Sequence, residues 1–121
     1  MSLKYTKEHE WIELLADGTA LVGISNHAQE SLGDVTFVEM PQIGDEFAAG
    51  ETFAVVESVK AASDIYMPVA GTVVEINPAI ESDLQLVNAS ATSDGWLVKI
   101  SPKNPDDINA LMTEREYLAS L

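Results

Sequence analysis

Short extended runs, interrupted by turn signals at close intervals, are what this sequence imposes first. Trp11 to Leu15 and Thr19 to Ile24 are apolar, partly β-branched runs separated by Asp17-Gly18, the best local hairpin signal in the chain. Val35 to Met40 sets bulky apolar residues among Thr36 and Glu39 and is stopped by Pro41, which suits a strand with one wet face. Gly44-Asp45 and Gly50-Glu51 bracket Glu46 to Ala49, and Thr52 to Val59 and Asp64 to Met67 are further runs rich in β-branched and aromatic residues. Such spacing favours a β sandwich or barrel over βαβ units. The 121 residues, 46% of them apolar, fit one domain with one core, so the expectation is a mainly β domain spanning residues 1–121.

Helices are expected in two places. Asn26 as a cap, with Gln29 at the third helical position, predicts a short helix over 26–32 that Gly33 ends. Asn104 as a cap, Pro105 at the first helical position and Asp106-Asp107 near the positive end of the dipole predict a C-terminal helix from about residue 105. Ile108, Leu111 and Met112 recur in it at helical spacing, and Thr113 with Glu116 predicts a restart carrying Tyr117, Leu118 and Leu121, packed on the β core. Between Ala79 and Asn88 the apolar residues Ile80, Leu84 and Leu86 fit no single period, which reads as loop with at most one strand. Ser90 to Gly95 reads as a polar loop and Trp96 to Ile100 as a strand closed by Pro102.

Charge and composition narrow the chemistry. A formal net charge of -14 repels nucleic acid and anionic membrane surfaces and favours basic patches on other proteins. The absence of cysteine excludes disulfides, thiol nucleophiles and thiolate metal sites. His9 and His27 are the only histidines and sit in no triad or metal-ligand spacing; His27 with Glu30 would supply two ligands without a third. No glycine-rich phosphate loop and no acidic loop spaced for a hard cation is present. An independent catalyst is therefore not expected. Met1-Ser2-Leu3-Lys4 has no apolar signal core and no later stretch is long and apolar enough to span a bilayer, so the expected location is cytoplasmic.

Between Lys7 and Lys99, Lys60 is the only lysine or arginine. It falls in the connection between Thr52 to Val59 and Asp64 to Met67, at or near a hairpin tip. Gly50 with Phe53, Val55 and Val56 is echoed by Gly71 with Val73, Val74 and Ile76, which would put the lysine between two similar β halves. Two readings fit it. One is an exposed turn lysine loosely paired with Glu57 or Asp64, worth at most about 1 kcal/mol. The other is a site of covalent attachment, where rigid strands fix the amine in place and an arm added to it supplies reach. An acidic scaffold that uses its negative face only for docking is the corresponding alternative for the whole chain.

Glu57-Ser58-Val59-Lys60-Ala61-Ala62-Ser63-Asp64 closely resembles the lipoyl-attachment motif of the glycine cleavage system H proteins. His9-Glu10-Trp11, Leu32-Gly33-Asp34, Phe37-Val38-Glu39-Met40-Pro41, Pro68, Gly71 and Gly95-Trp96 fall in that family's order and approximate spacing, so the resemblance covers nearly the whole chain. It implies a hammerhead-type lipoyl-domain barrel or sandwich and a non-catalytic carrier, with lipoate amide-linked to Lys60 within the motif of Glu57, Ser58, Val59, Ala61 and Asp64. It also implies the partners: a pyridoxal-phosphate-dependent glycine decarboxylase that loads an aminomethyl group, a tetrahydrofolate-dependent aminomethyltransferase that takes it, a dihydrolipoamide dehydrogenase that reoxidises the dithiol, and a lipoate-attaching enzyme. Glu10 and Asp64, with His9 beside them, match positions near the cleft in which such proteins park the arm. An H-like carrier acting as a lipoate relay to other enzymes is the alternative. Lipoyl domains of 2-oxo acid dehydrogenases place an acidic residue where Val59 stands, and biotin carriers resemble a lysine flanked by methionines. The chain departs from the family's pattern at Ala91-Thr92, where a Pro-Tyr pair is common, and at Leu84, where a proline is frequent.

Overall fold

The computed structural model describes residues 3–121. β1 (Lys4–Tyr5), β2 (Glu10–Leu14) and β3 (Ala20–Ile24) form an antiparallel meander. The β2–β3 turn is the expected one: Gly18 takes φ 90°, and the Asp17 carboxylate accepts from the Thr19 backbone at 3.0 Å and its hydroxyl at 2.6 Å. α1 (Asn26–Leu32) follows, ended as expected by Gly33 at φ 77°. Its cap is Ser25 and not Asn26: the Ser25 hydroxyl accepts from Ala28 N at 3.1 Å, which starts the helix one residue earlier than the capping-box pattern suggested.

β4 (Val35–Glu39), β5 (Glu46–Phe47), β6 (Thr52–Ser58), β7 (Ala62–Tyr66) and β8 (Gly71–Ile76) complete the central half of the chain. α2 (Pro78–Ser82) and α3 (Gln85–Ala89) occupy the stretch expected to be a loop or strand. The missed signal was Asn77-Pro78: Asn77 Oδ1 accepts from Ala79 N at 3.0 Å and Pro78 opens the helix, so two helices form there that are too short to repeat an apolar period. β9 (Val98–Pro102) begins two residues later than expected and runs through Pro102, which pairs with Gly71 at the strand end where a missing N–H is tolerated. The C-terminal segment is not one helix. α4 (Asp106–Asn109) is a single turn, β10 (Met112–Thr113) pairs with β1, and α5 (Glu114–Ala119) restarts with the expected Thr113–Glu116 capping box. Met112 thus lies in a strand, because pairing with β1 outweighs the helical spacing of the local sequence.

The strands form a seven-stranded sheet in the order β10-β1-β2-β3-β9-β8-β5 and a three-stranded sheet in the order β4-β6-β7. Val22, Val73 and Ile100 of the first and Val38, Val56 and Ile65 of the second belong to one buried cluster, so the sheets share a core. The two similar β runs of the sequence end up in different sheets, β6 in the small one and β8 in the large one. A second, smaller cluster of Tyr5, Trp11 and Tyr117 fastens α5 to β1 and β2.

Candidate functional site

Lys60 stands at the tip of the β6–β7 hairpin, which pairs out to Glu57 opposite Ala62. Ser58 makes the turn that no Asn-Gly pair announced. Its backbone N–H donates to the Ala61 carbonyl at 2.8 Å, and its hydroxyl accepts from the N–H groups of Lys60 and Ala61, each at 3.2 Å. The tip is also tied to the end of α1, because Val59 N–H donates to the Asp34 carbonyl at 3.2 Å. The lysine stem crosses Gly33, where a Cβ would sit 3.4 Å from Lys60 Cε and 3.8 Å from Nζ. Glycine is required there by its positive φ and leaves the stem its path. Asn88 braces the same point from α3: its amide donates to the Gly33 carbonyl at 2.8 Å and to Gln29 Oε1 at 3.1 Å, and its oxygen accepts from Val35 N at 3.0 Å.

Glu57 and Asp64 do not pair with Lys60. Among the described residues the one salt bridge is Lys99–Glu75 at 3.6 Å, so the loosely paired turn lysine is not what the hairpin builds. Instead an exposed amine is carried on a turn fixed by backbone and hydroxyl hydrogen bonds.

A groove of about 200 Å³ lies between α1 and β7. Ala28, Leu32 and Ile65 give it apolar walls, and Glu8, His9 and Asp64 are among its polar groups, with His27, Ser31 and Ser63. Since Lys60 lies over the residue that ends α1, a chain extended from its Nζ begins beside the helix whose side chains form one wall. Asp64 and His9, singled out in the sequence, therefore share this groove. Glu10 does not line it. It lines a neighbouring groove of about 400 Å³ with Thr6, Tyr66, Met67, Pro68 and Leu111, and Glu8 is common to both.

His9 is held in a left-handed conformation, φ 71°, by a turn that Thr6 organises. Its Nδ1 lies 2.6 Å from the Tyr117 hydroxyl, which is itself 2.8 Å from the Ser25 hydroxyl, and its ring packs 4.7 Å from that of His27. Burial lowers its pKa and His27 lowers it further, with Glu8 opposing. Tyr117, a residue the sequence offered only as packing, thus anchors the histidine from α5. The sole hint was its place in a capped terminal helix.

Glu10 is 2% exposed. Burial pushes its carboxyl pKa up, outweighing hydrogen bonds from the Thr6 hydroxyl at 2.5 Å and the Tyr66 N–H at 3.4 Å. A carboxyl whose pKa is raised on folding binds its proton more tightly in the folded state. Stability therefore falls as pH rises from the ordinary carboxylate range through the raised value, and is constant above it. Glu10→Gln removes the buried charge and keeps one accepting oxygen, enough for the shorter bond from Thr6 but not also for the long one from Tyr66 N–H, so it is expected to raise Tm at neutral pH and to remove this part of the slope. Urea midpoints from about pH 4 to about pH 8 check it, and a variant less stable than its parent at neutral pH contradicts it.

The two departures from the family pattern flank α3, the helix that carries Asn88. Ala91 is buried and its carbonyl accepts from Trp11 Nε1 at 2.8 Å; Leu84 packs against the main core at the start of α3. Among the described residues no helix is long and apolar enough to cross a membrane, and no three His, Asp or Glu side chains are grouped to hold a metal ion.

Residues 3–121 match the family model described as Glycine cleavage H-protein. A glycine cleavage system H protein of Psychrobacter sp. (strain PRwf-1) is 50% identical over 119 residues, covering 98% of this chain and 94% of the relative. That of Vibrio campbellii is 51% identical over 120 residues, covering 99% and 95%. The crystal structure of a glycine cleavage system H protein from Mycobacterium marinum superposes with a TM-score of 0.89 at 35% identity, covering 98% of this chain and 95% of that one.

Proposed function

From the premise that this chain belongs to the glycine cleavage H-protein family, we propose that it is the lipoyl-bearing shuttle of glycine cleavage. In this reading it carries the aminomethyl group from the glycine decarboxylase to the aminomethyltransferase and presents the dithiol to the dihydrolipoamide dehydrogenase. The observation that carries the reading is Lys60 itself: an exposed, unbridged amine on a hydrogen-bonded tip, beside a groove with apolar walls and a carboxylate.

The residues present fit a lipoyl group. Its hydrocarbon chain suits Ala28, Leu32 and Ile65, and the Gly33 surface admits the stem that bears it. When attached, lipoate supplies a disulfide able to accept the one-carbon amine and to be left as a dithiol. The chain's own contribution is position and shelter. Ser58 and the bond from Val59 to Asp34 fix where the arm starts, while the groove offers a place to withdraw to between partners. A cargo with an ammonium group is stabilised by nearby carboxylates and by restricted access of water.

Asp64, on the groove, holds that ammonium, and Glu10 adds its field from the adjoining groove. Asp64→Ala is expected to speed spontaneous loss of the one-carbon unit from the loaded protein several-fold, and Glu10→Ala to speed it less. The decay of loaded protein, followed by mass against time, measures this; unchanged decay in both variants refutes the assignment.

Reconstitution with the decarboxylase tests the function as a whole: lipoylated chain should support glycine-dependent exchange of carbon dioxide and unmodified chain should not. With a net charge of -14, the encounter should be electrostatically steered, so the exchange rate at limiting carrier falls as salt passes the physiological range. A rate indifferent to salt contradicts steering.

A further inference from the structure

The outward face of the three-stranded sheet carries an exposed aromatic ring put there by a backbone irregularity. Val35 pairs with Ser58 but Phe37 pairs with Glu57, so Thr36 is an extra residue in β4. In an unbroken strand Phe37, two residues beyond the buried Val35, would turn inward with it. The bulge instead turns Phe37 outward, leaving it 52% exposed, and sends Val38 into the core at 8% exposed. By the strand register, Phe37, Glu57 and Ala62 form one row across this face, and Glu39, Val55 and Asp64 form the next. The first row lies directly behind the tip, where Val59 is 69% exposed beside Lys60.

We propose that this face, with Phe37 as its anchor, is the docking surface for the enzyme that acylates Lys60. The proposal rests on the carrier reading above. Enzymes that act on a finished arm meet its far end, at a distance from the chain that the arm itself provides. An enzyme that makes the bond to Nζ has no arm to use and must bring its own reacting atoms to the tip. Strands repeat about every 4.8 Å, so the row of Phe37, Glu57 and Ala62 spans about 10 Å and falls within the footprint of any protein seated there. None of the three strands contains lysine or arginine. The ring is framed by the carboxylates of Glu39 and Glu57, so the matching surface is an apolar recess rimmed by basic side chains. In the step this docking serves, Nζ gives up a proton and forms an amide bond to the carboxyl carbon of an activated lipoate, an acyl adenylate made by that enzyme from lipoate and ATP. The bond from that carbon to the phosphate oxygen breaks, and adenylate leaves with the electron pair.

The test follows the mass of the full chain against time with a lipoate-attaching ligase, lipoate and ATP, for the parent, Phe37→Ser and Val74→Ser. Val74, 39% exposed on β8 of the other sheet, is the control for a lost surface hydrophobe. Phe37→Ser is expected to lower kcat/KM for acylation about tenfold or more, chiefly through KM, with a urea midpoint no lower than the parent's; Val74→Ser should match the parent. If the parent is acylated and Phe37→Ser keeps pace with it, or if both variants slow equally, the docking surface is overturned while the carrier reading stands. A parent chain that gains no mass at Lys60 overturns both.

Discussion

Lys60→Arg is expected to abolish the single lipoyl mass increment and, with it, all glycine-dependent exchange supported by this protein. Arginine keeps the positive charge and a long stem that can cross Gly33, but its guanidinium stays protonated and offers no electron pair for amide formation. Because the position is exposed and unbridged, stability should move by no more than about 0.5 kcal/mol. Loss of function without loss of fold is thus the signature. Intact mass after expression with lipoate and a lipoate-attaching enzyme, followed by peptide mapping, reads it directly. A lipoyl increment that persists in Lys60→Arg would move the attachment elsewhere and remove the basis of the carrier reading.

Trp11→Ala should have the largest effect on stability. The indole is fully buried, donates to the Ala91 carbonyl at 2.8 Å, and lies so close to Gly23 that a Cβ there would come within 2.8 Å of the ring. Truncation leaves a cavity and strips the Ala91 carbonyl of its donor. Such a change costs about 3–5 kcal/mol for the side chain alone, with an unpaired carbonyl adding to it. A domain of this size has about 5–15 kcal/mol in total, so a large part of the folded population is at risk. Trp11→Phe, which keeps most of the ring volume, should lose much less. Urea midpoints for the three proteins check the order, and a Trp11→Ala shift below about 1 kcal/mol would show that the site collapses without cost. This contact also gives the Ala91-Thr92 departure a physical meaning: a backbone carbonyl makes the bond, so it survives a change of side chain at position 91, provided the new side chain fits that buried place and the loop holds its course.

Several features of the fold were legible because they are local. Asp17-Gly18 forces its own turn, Gly33 ends α1 through a φ that other residues rarely adopt, and Thr113 with Glu116 closes a capping box within four residues. The lysine tip was legible for a related reason: β-branched runs on both sides of Lys60, joined by a short connection, pair with each other as a hairpin. The residues that failed to show are those whose partners lie far away in the chain. Met112 has helical spacing but pairs with Tyr5. Asn88 reaches back to Gly33, and Tyr117 reaches His9 and Ser25. Glu10 and Asp64, expected to act together, line adjoining grooves because β2 carries the first and β7 the second, in different sheets.

What the chain determined by itself is a mainly β domain with a solitary cation at a hairpin tip, since turn chemistry and strand periodicity act over a few neighbouring residues. Only the tertiary structure decided what surrounds that cation. The closing of α1 against β7, the bulge that turns Phe37 outward, and the seat of α5 on His9 depend on which surfaces two sheets bring together, and packing between distant segments leaves no pattern in local sequence.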